Sequence, residues 1–113
     1  MKELTGPAAV ALAAVQAARG APLVLLDVRE PWEVALASIS LPGATTRSLP
    51  MREVPGRLAE LDPAQPVVCI CHHGARSAQV VAFLERSGFA SAYNLAGGID
   101  AWSRDVDSGV VRY

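Results

Sequence analysis

The fold is decided by the stretch PVVCICHHGARSAQVVAFLERSG, residues 66–88. Its segment 67–70 is a continuous apolar run after a proline, which predicts a strand buried on both faces. Its segment 77–87 has apolar residues at helical spacing and stops at Gly88, which predicts a helix. A strand followed closely by a helix is half of a β-α-β unit, so the stretch favours a parallel sheet covered by helices.

The same alternation continues on both sides of this stretch. Further strands are predicted at 23–26, at 91–95 and around Ala44, and helices at 7–19, 31–36, 51–61 and 99–104. The first helix is expected to bury a stripe formed by Leu4, Ala8, Leu12 and Val15. The residues after 104 are expected to pack as an ordered edge of the same domain.

Length and composition indicate one globular domain. The chain has 113 residues, of which 51% are hydrophobic and 19% are charged, and its net charge is −1. This is enough apolar material for one core, so a single domain spanning 1–113 is expected. A nucleic-acid partner is not expected, because such proteins carry a clear basic excess.

Two features bear on the compartment. Cys69 and Cys71 are the two cysteines, and their spacing would force any disulfide between them into a small strained ring. Free thiols indicate a reducing environment. The alanine-rich segment 8–18 is too short to span a bilayer and too weakly apolar for a secretory signal, so we expect a cytoplasmic protein without a membrane partner.

The loop after the strand at 67–70 carries the candidate chemistry. Cys71 falls at the carboxyl end of that strand, where open α/β sheets bind their ligands. The N-terminus of the following helix offers unpaired N–H groups and a partial positive charge, which together form an anion cradle. Such a cradle favours a thiolate, so Cys71 is the candidate nucleophile, while Cys69 lies within the apolar run as an inert side chain.

Three segments in this order resemble the rhodanese family. They are DVREPWE at 27–33, the loop CHHGARS at 71–77, and NLAGGIDAW at 94–102. The resemblance implies a three-layer α/β/α fold with a central five-stranded parallel sheet. It also implies that Cys71 carries sulfur as a persulfide, and it assigns the substrate-binding cradle to five residues: His72, His73, Gly74, Ala75 and Arg76.

The resemblance gives other residues supporting roles. Asp27 and Arg29 match positions that brace the loop and the strand end, with a surface salt bridge as the alternative for Arg29. Trp102 is expected in the core. In one stretch, SISLPGA at 38–44, the Pro-Gly-Ala turn of the family is present and its Gly-His pair is absent, which affects local packing.

The predicted function is sulfur transfer by a ping-pong reaction without a cofactor. A small anionic sulfur donor such as thiosulfate would load Cys71, and a thiol or cyanide would accept the sulfur, with a protein thiol as a further candidate acceptor. One alternative is a phosphatase or arsenate reductase, whose loop is one residue longer than the four residues between Cys71 and Arg76. The other is a non-catalytic binding or regulatory module, although such modules usually lack the loop cysteine.

A metal site is the least favoured interpretation of the loop. Cys69, Cys71, His72 and His73 cluster in sequence, but adjacent histidines rarely bind one ion together and no second ligand pair exists elsewhere. No metal is therefore expected.

Overall fold

Five parallel strands form one sheet in the computed structural model, which describes residues 2–113. The strands stand in the order β1-β5-β4-β2-β3, and their bounds are Glu3–Leu4 (β1), Leu23–Asp27 (β2), Ala44–Ser48 (β3), Val67–Ile70 (β4) and Ala92–Leu95 (β5). Four α-helices connect or follow them: Gly6–Ala18 (α1), Pro31–Leu36 (α2), Ala75–Arg86 (α3) and Gly98–Asp105 (α4). The predicted parallel sheet covered by helices is confirmed.

The central strands β2 and β4 are apolar on both faces and completely buried. Their alternate side chains point to opposite sides of the sheet, as strand geometry requires. Leu26 and Cys69 enter a core that α3 covers, whereas Leu25 and Val68 enter a second core that α1 and α4 cover. The sheet is therefore the middle of three layers, and the carboxyl ends of β2 and β4 lie side by side, since Asp27 pairs with Ile70.

The buried face of α1 differs from the predicted stripe. Ala9 and Ala13 are fully buried, while Val15 is 46% exposed. A Cβ on Gly6 would lie 2.5 Å from the Val106 side chain, so α1 approaches the segment after α4 very closely. Small residues on this face permit that approach, and the larger Leu12 lies at its margin, half-buried against the core.

Three other elements depart from the predictions. The segment predicted as a helix at 51–61 forms two 3-10 helices, Met51–Glu53 and Pro55–Glu60, because proline at 55 cannot donate the N–H that a continuous α-helix needs. The edge strand β1 was not predicted, since two residues carry no periodic pattern. Helix α3 begins at Ala75, two residues before the predicted start, because Gly74 adopts the left-handed conformation and acts as its N-cap.

The residues after α4 pack back on the domain. Val110 and Tyr113 contact the core on the side of α1 and α4. The Ser103 hydroxyl donates to the Val110 carbonyl across 2.5 Å. Among residues 2–113, no helix is both long and apolar enough to cross a membrane.

Candidate active site

The loop between β4 and α3 bends tightly around the sulfur of Cys71. Gly74 has φ 108°, which a residue with a side chain rarely adopts, and this turn brings its backbone N–H to 3.0 Å from the Cys71 Sγ atom. Ala75 and Arg76 then belong to the first turn of α3, where backbone N–H groups have no partner within the helix. The loop proper is thus shorter than predicted, and the helix N-terminus lies correspondingly closer to the sulfur.

The two cysteines have different surroundings, although both are buried. Cys69 lies in the apolar core, where burial, with a smaller contribution from neighbouring Cys71, raises its pKa to about 12. Its thiol therefore stays protonated at neutral pH. Cys71 belongs to the same core, but its Sγ atom also accepts a hydrogen bond from the Gly74 N–H and lies 3.2 Å from the hydroxyl oxygen of Ser77. The two sulfur atoms thus differ in their polar contacts rather than in their burial.

Ser77 and Asn94 join the candidate site through hydrogen bonds, although the sequence prediction did not include them. The single Ser77 hydroxyl hydrogen can be donated to Cys71 Sγ or, across 2.5 Å, to Oδ1 of Asn94. The Asn94 amide in turn donates to the Gly74 carbonyl across 3.1 Å. Both side chains are buried, so these contacts fix the loop against α3 and β5. The sequence signal that could have identified them is their position in two of the family-like motifs, since Ser77 ends the motif at 71–77 and Asn94 begins the motif at 94–102.

The N-terminus of α4 supports the loop from behind. The backbone N–H groups of Ile99 and Asp100 donate to the carbonyls of Cys71 and His72, at 2.9 and 3.1 Å. A Cβ on Gly98 would lie 2.4 Å from both carbonyl oxygens, so this contact requires glycine. The Gly-Gly turn is therefore part of the site, because it lets α4 hold the carbonyl side of the loop.

Asp27 and Arg29 form a fully buried ion pair at the end of β2. The Arg29 guanidinium donates to both Asp27 carboxylate oxygens, at 2.9 and 2.6 Å, and also to the carbonyl of Ala37. Burial works against the Arg29 charge, but the hydrogen bonds that the guanidinium donates to Asp27 and then to Tyr113 raise the pKa of Arg29 above its ordinary value. The alternative of a surface salt bridge for Arg29 is wrong, since the residue is 1% exposed.

Arg76 is held by Glu33 of α2. The guanidinium donates to both carboxylate oxygens, at 2.6 and 2.9 Å. The Arg76 hydrogen bond lowers the pKa of Glu33 to about 2 against the opposing effect of burial, with help from the Glu30 N–H and Tyr113. The Arg76 side chain is still partly exposed, and it lines a cavity of about 290 Å³ whose other lining residues are Val28, Glu30, Met51 and Arg52.

His72 and His73, which directly follow Cys71 in the loop, stack their rings on each other. Their ring centroids are 4.0 Å apart, and His72 also stacks on Tyr113 at 3.9 Å. With Asp100 they form a group whose potential ligand atoms all lie within 4.8 Å of one another. However, Asp100 is already paired with Arg112, and a metal between stacked rings would lie far outside both ring planes, so this arrangement does not suit metal coordination.

The chain matches known proteins over most of its length. The family described as rhodanese-like domain matches residues 11–105. A rhodanese-like/PpiC domain-containing protein of Arabidopsis thaliana is 40% identical over 93 residues, which cover 79% of this chain and 30% of that protein. The chain therefore spans less than a third of that relative.

Shorter relatives are matched over most of their length. A sulfurtransferase from Allochromatium vinosum is 42% identical over 82 residues, or 73% of each chain. The thiosulfate sulfurtransferase GlpE of Pseudomonas fluorescens is 32% identical over 87 residues, covering 77% of this chain and 76% of that one. These names support a sulfurtransferase role.

Solved structures agree with the fold. A rhodanese-like domain protein from Staphylococcus aureus has a TM-score of 0.76 at 29% identity, over 100% of this chain and 99% of that one. A rhodanese-related protein from Thermoplasma volcanium has a TM-score of 0.76 at 26% identity over the full length of both chains. Because the fold, the motifs and the sequence all match, the chain belongs to the rhodanese-like family.

Proposed function

We propose that the protein transfers a sulfane sulfur from an anionic, thiosulfate-like donor to a thiol or cyanide acceptor through a persulfide on Cys71. The observation that carries this proposal is the placement of Cys71 Sγ against the Gly74 N–H and the Ser77 hydroxyl, at the N-terminus of α3. These donors favour negative charge on sulfur, and the relatives named as sulfurtransferases support the same chemistry.

In the first half-reaction, the Cys71 thiolate attacks the outer sulfur of thiosulfate. A new S–S bond forms, the S–S bond of the donor breaks, and its electron pair leaves with sulfite. The negative charge moves to the terminal sulfur of the persulfide. The unpaired N–H groups of the first turn of α3 are placed to bind this sulfur, so the cradle serves nucleophile and intermediate alike.

In the second half-reaction, the acceptor attacks the terminal sulfur. The persulfide S–S bond breaks, its electron pair returns to Cys71 as thiolate, and the acceptor leaves as a persulfide or as thiocyanate. Arg76, which lines a cavity and belongs to the first turn of α3, is proposed to attract an anionic donor or acceptor. Because Glu33 already neutralises much of its charge, we assign the main anion stabilisation to the backbone N–H groups.

The test is mass spectrometry of the intact protein after thiosulfate treatment, together with a sulfite-release assay. Wild type is expected to gain the mass of one sulfur atom, located on the peptide with Cys71, and to lose it on addition of cyanide. Cys71→Ser should show neither reaction. Cys69→Ser is the matched control, because its thiol is buried in the core, and it should retain transfer.

Three outcomes would overturn the proposal. Transfer that persists in Cys71→Ser would exclude the persulfide on this residue. Hydrolysis of p-nitrophenyl phosphate that depends on Cys71, without sulfur loading by any sulfane donor, would favour the phosphatase alternative. Absence of both reactions in wild type, with thiosulfate, mercaptopyruvate and glutathione persulfide as donors, would favour a binding module.

A further inference from the structure

The ring of Tyr113 lies directly on the active-site loop. It stacks on His72 with a centroid separation of 3.9 Å and an angle of 7° between the rings. Trp32 of α2 contacts the same tyrosine edge-on, with centroids 6.3 Å apart. Nε2 of His72 is buried and has no hydrogen-bond partner among residues 2–113. The aromatic contacts of the His72 ring, rather than a hydrogen bond at Nε2, therefore hold this side chain in place.

The hydroxyl of Tyr113 joins two ion pairs. It accepts a hydrogen bond from Arg29 across 2.9 Å and donates to Glu33 across 2.8 Å. Arg29 is paired with Asp27, and Glu33 is paired with Arg76. An unbroken series of hydrogen bonds thus runs from the end of β2 to the first turn of α3, with this hydroxyl at its centre.

We propose that Tyr113 is a positioning residue for the candidate active site, which it holds through two separable contacts. Its ring fixes His72, next to Cys71. Its hydroxyl donates a hydrogen bond to the Glu33 carboxylate. This bond competes with Arg76 for the negative charge of Glu33, so it limits how strongly Glu33 neutralises Arg76. The hydroxyl of Tyr113 bonds Arg29 and Glu33 and its ring stacks on His72, so its influence on sulfur chemistry passes through His72 and Arg76. The kinetic part of this inference rests on the proposed sulfurtransferase function.

The two contacts can be removed one at a time. Tyr113→Phe keeps the stacked ring and loses the hydroxyl, whereas Tyr113→Leu loses both. Val111→Ala is the matched control, because Val111 lies in the same segment and its side chain is 55% exposed. Thermal unfolding of all three variants establishes that each is folded at the assay temperature.

The kinetic readout separates KM from kcat. Without the hydroxyl, Glu33 keeps more of its charge for Arg76, so Tyr113→Phe should raise the KM for thiosulfate about three-fold and leave kcat nearly unchanged. Tyr113→Leu also frees His72 and should lower kcat as well. Unchanged kinetic constants in both variants, with only a lower Tm, would reduce Tyr113 to a structural residue and overturn the proposal.

A second readout does not depend on sulfur transfer. Diethyl pyrocarbonate should modify exposed His73 in every variant, and tandem mass spectrometry can locate the label. His72 should be protected in wild type, Tyr113→Phe and Val111→Ala, and labelled in Tyr113→Leu. Labelling of His72 in wild type would contradict the stacking proposal. If wild type transfers no sulfur, the proposed function fails while this labelling pattern still decides the role of the ring.

Discussion

Ser77 supplies the only side-chain hydroxyl in contact with the Cys71 sulfur among residues 2–113. Its hydrogen has two acceptors, and the balance between them depends on the charge of the sulfur. A neutral thiol leaves the hydroxyl free to donate to Asn94, whereas a thiolate or persulfide anion competes for the same hydrogen. Ser77 can thus adjust to each sulfur species without moving its backbone.

Replacing Ser77 with Ala should slow sulfur loading. Because the variant lacks the hydrogen bond to the anionic sulfur, the rate of sulfite release should decrease about ten-fold. The rate is measured in a single turnover with excess thiosulfate. Ser87→Ala is the control at the C-cap of the same helix, because the Ser87 hydroxyl donates to the Phe83 carbonyl at the opposite end of α3 from Ser77. Equal rates in Ser77→Ala and wild type would show that the Gly74 N–H and the helix N-terminus are sufficient.

At the scale of elements, the loop is held between α3 and α4. Helix α3 begins where the loop ends, and the Gly74 N–H and Ser77 hydroxyl at this end of the helix contact the Cys71 sulfur. Backbone N–H groups at the N-terminus of α4 donate to the loop carbonyls. Helix α2 adds a third contact through the Glu33–Arg76 pair. Because each helix follows a different strand, the loop geometry depends on the packing of the whole sheet.

Gly98→Ala tests the contact between α4 and the loop. The added Cβ would clash with two backbone carbonyls at 2.4 Å and force a residue with φ 62°, so we expect destabilisation of about 3 kcal/mol or more and loss of sulfur loading. Gly88→Ala is the control, because Gly88 has φ 95° with no atom near its Cβ position. It should cost only about 1 kcal/mol in urea unfolding. Equal costs would mean that backbone strain, not the loop contact, requires glycine at 98.

Glu33→Gln tests the link between α2 and α3 through its pH dependence. The pKa of Glu33 is about 2 in the folded protein against an ordinary 4.5, so its contribution is complete above about pH 4.5 and is lost as the pH falls toward 2. The variant should be less stable than wild type by about 2 kcal/mol at pH 7, after allowance for the partly exposed Arg76, and by little near pH 2. Urea unfolding across this range measures the difference, with Glu85→Gln, an exposed site on α3, as the control. A gap between Glu33→Gln and wild type that does not change with pH would contradict the ion-pair assignment.

At the scale of the whole molecule, two cores meet at the buried strands β2 and β4. Both strands are flanked by partners on each side, whereas β1 and β3 are edge strands. The site lies over the carboxyl ends of the two central strands, so its framework belongs to the most deeply packed part of the molecule. Tyr113, by contrast, joins the site from a segment at the surface of the fold.

Hydrogen exchange should reflect this arrangement. Amides of β2 and β4 are expected to exchange only through global unfolding, while those of β3, whose side chains are mostly exposed, should exchange through local opening. Native-state exchange followed by NMR at increasing urea concentrations measures both. Equal opening free energies in β3 and β4 would indicate that the sheet opens as one unit and would contradict the expected order.

The sequence alone determined the alternation of strands and helices, the parallel sheet, and the position of Cys69 within a strand and of Cys71 directly after it. These features depend on apolar patterning and on residues a few positions apart, which a local pattern records. Only the tertiary structure decided how Arg76 is paired, how Ser77 meets Asn94 and how Tyr113 reaches Arg29, because these partners are 43, 17 and 84 residues apart in sequence. Local patterning places a buried strand next to a loop, but the pairing of side chains across the site is set by the distances at which separate helices pack on the sheet.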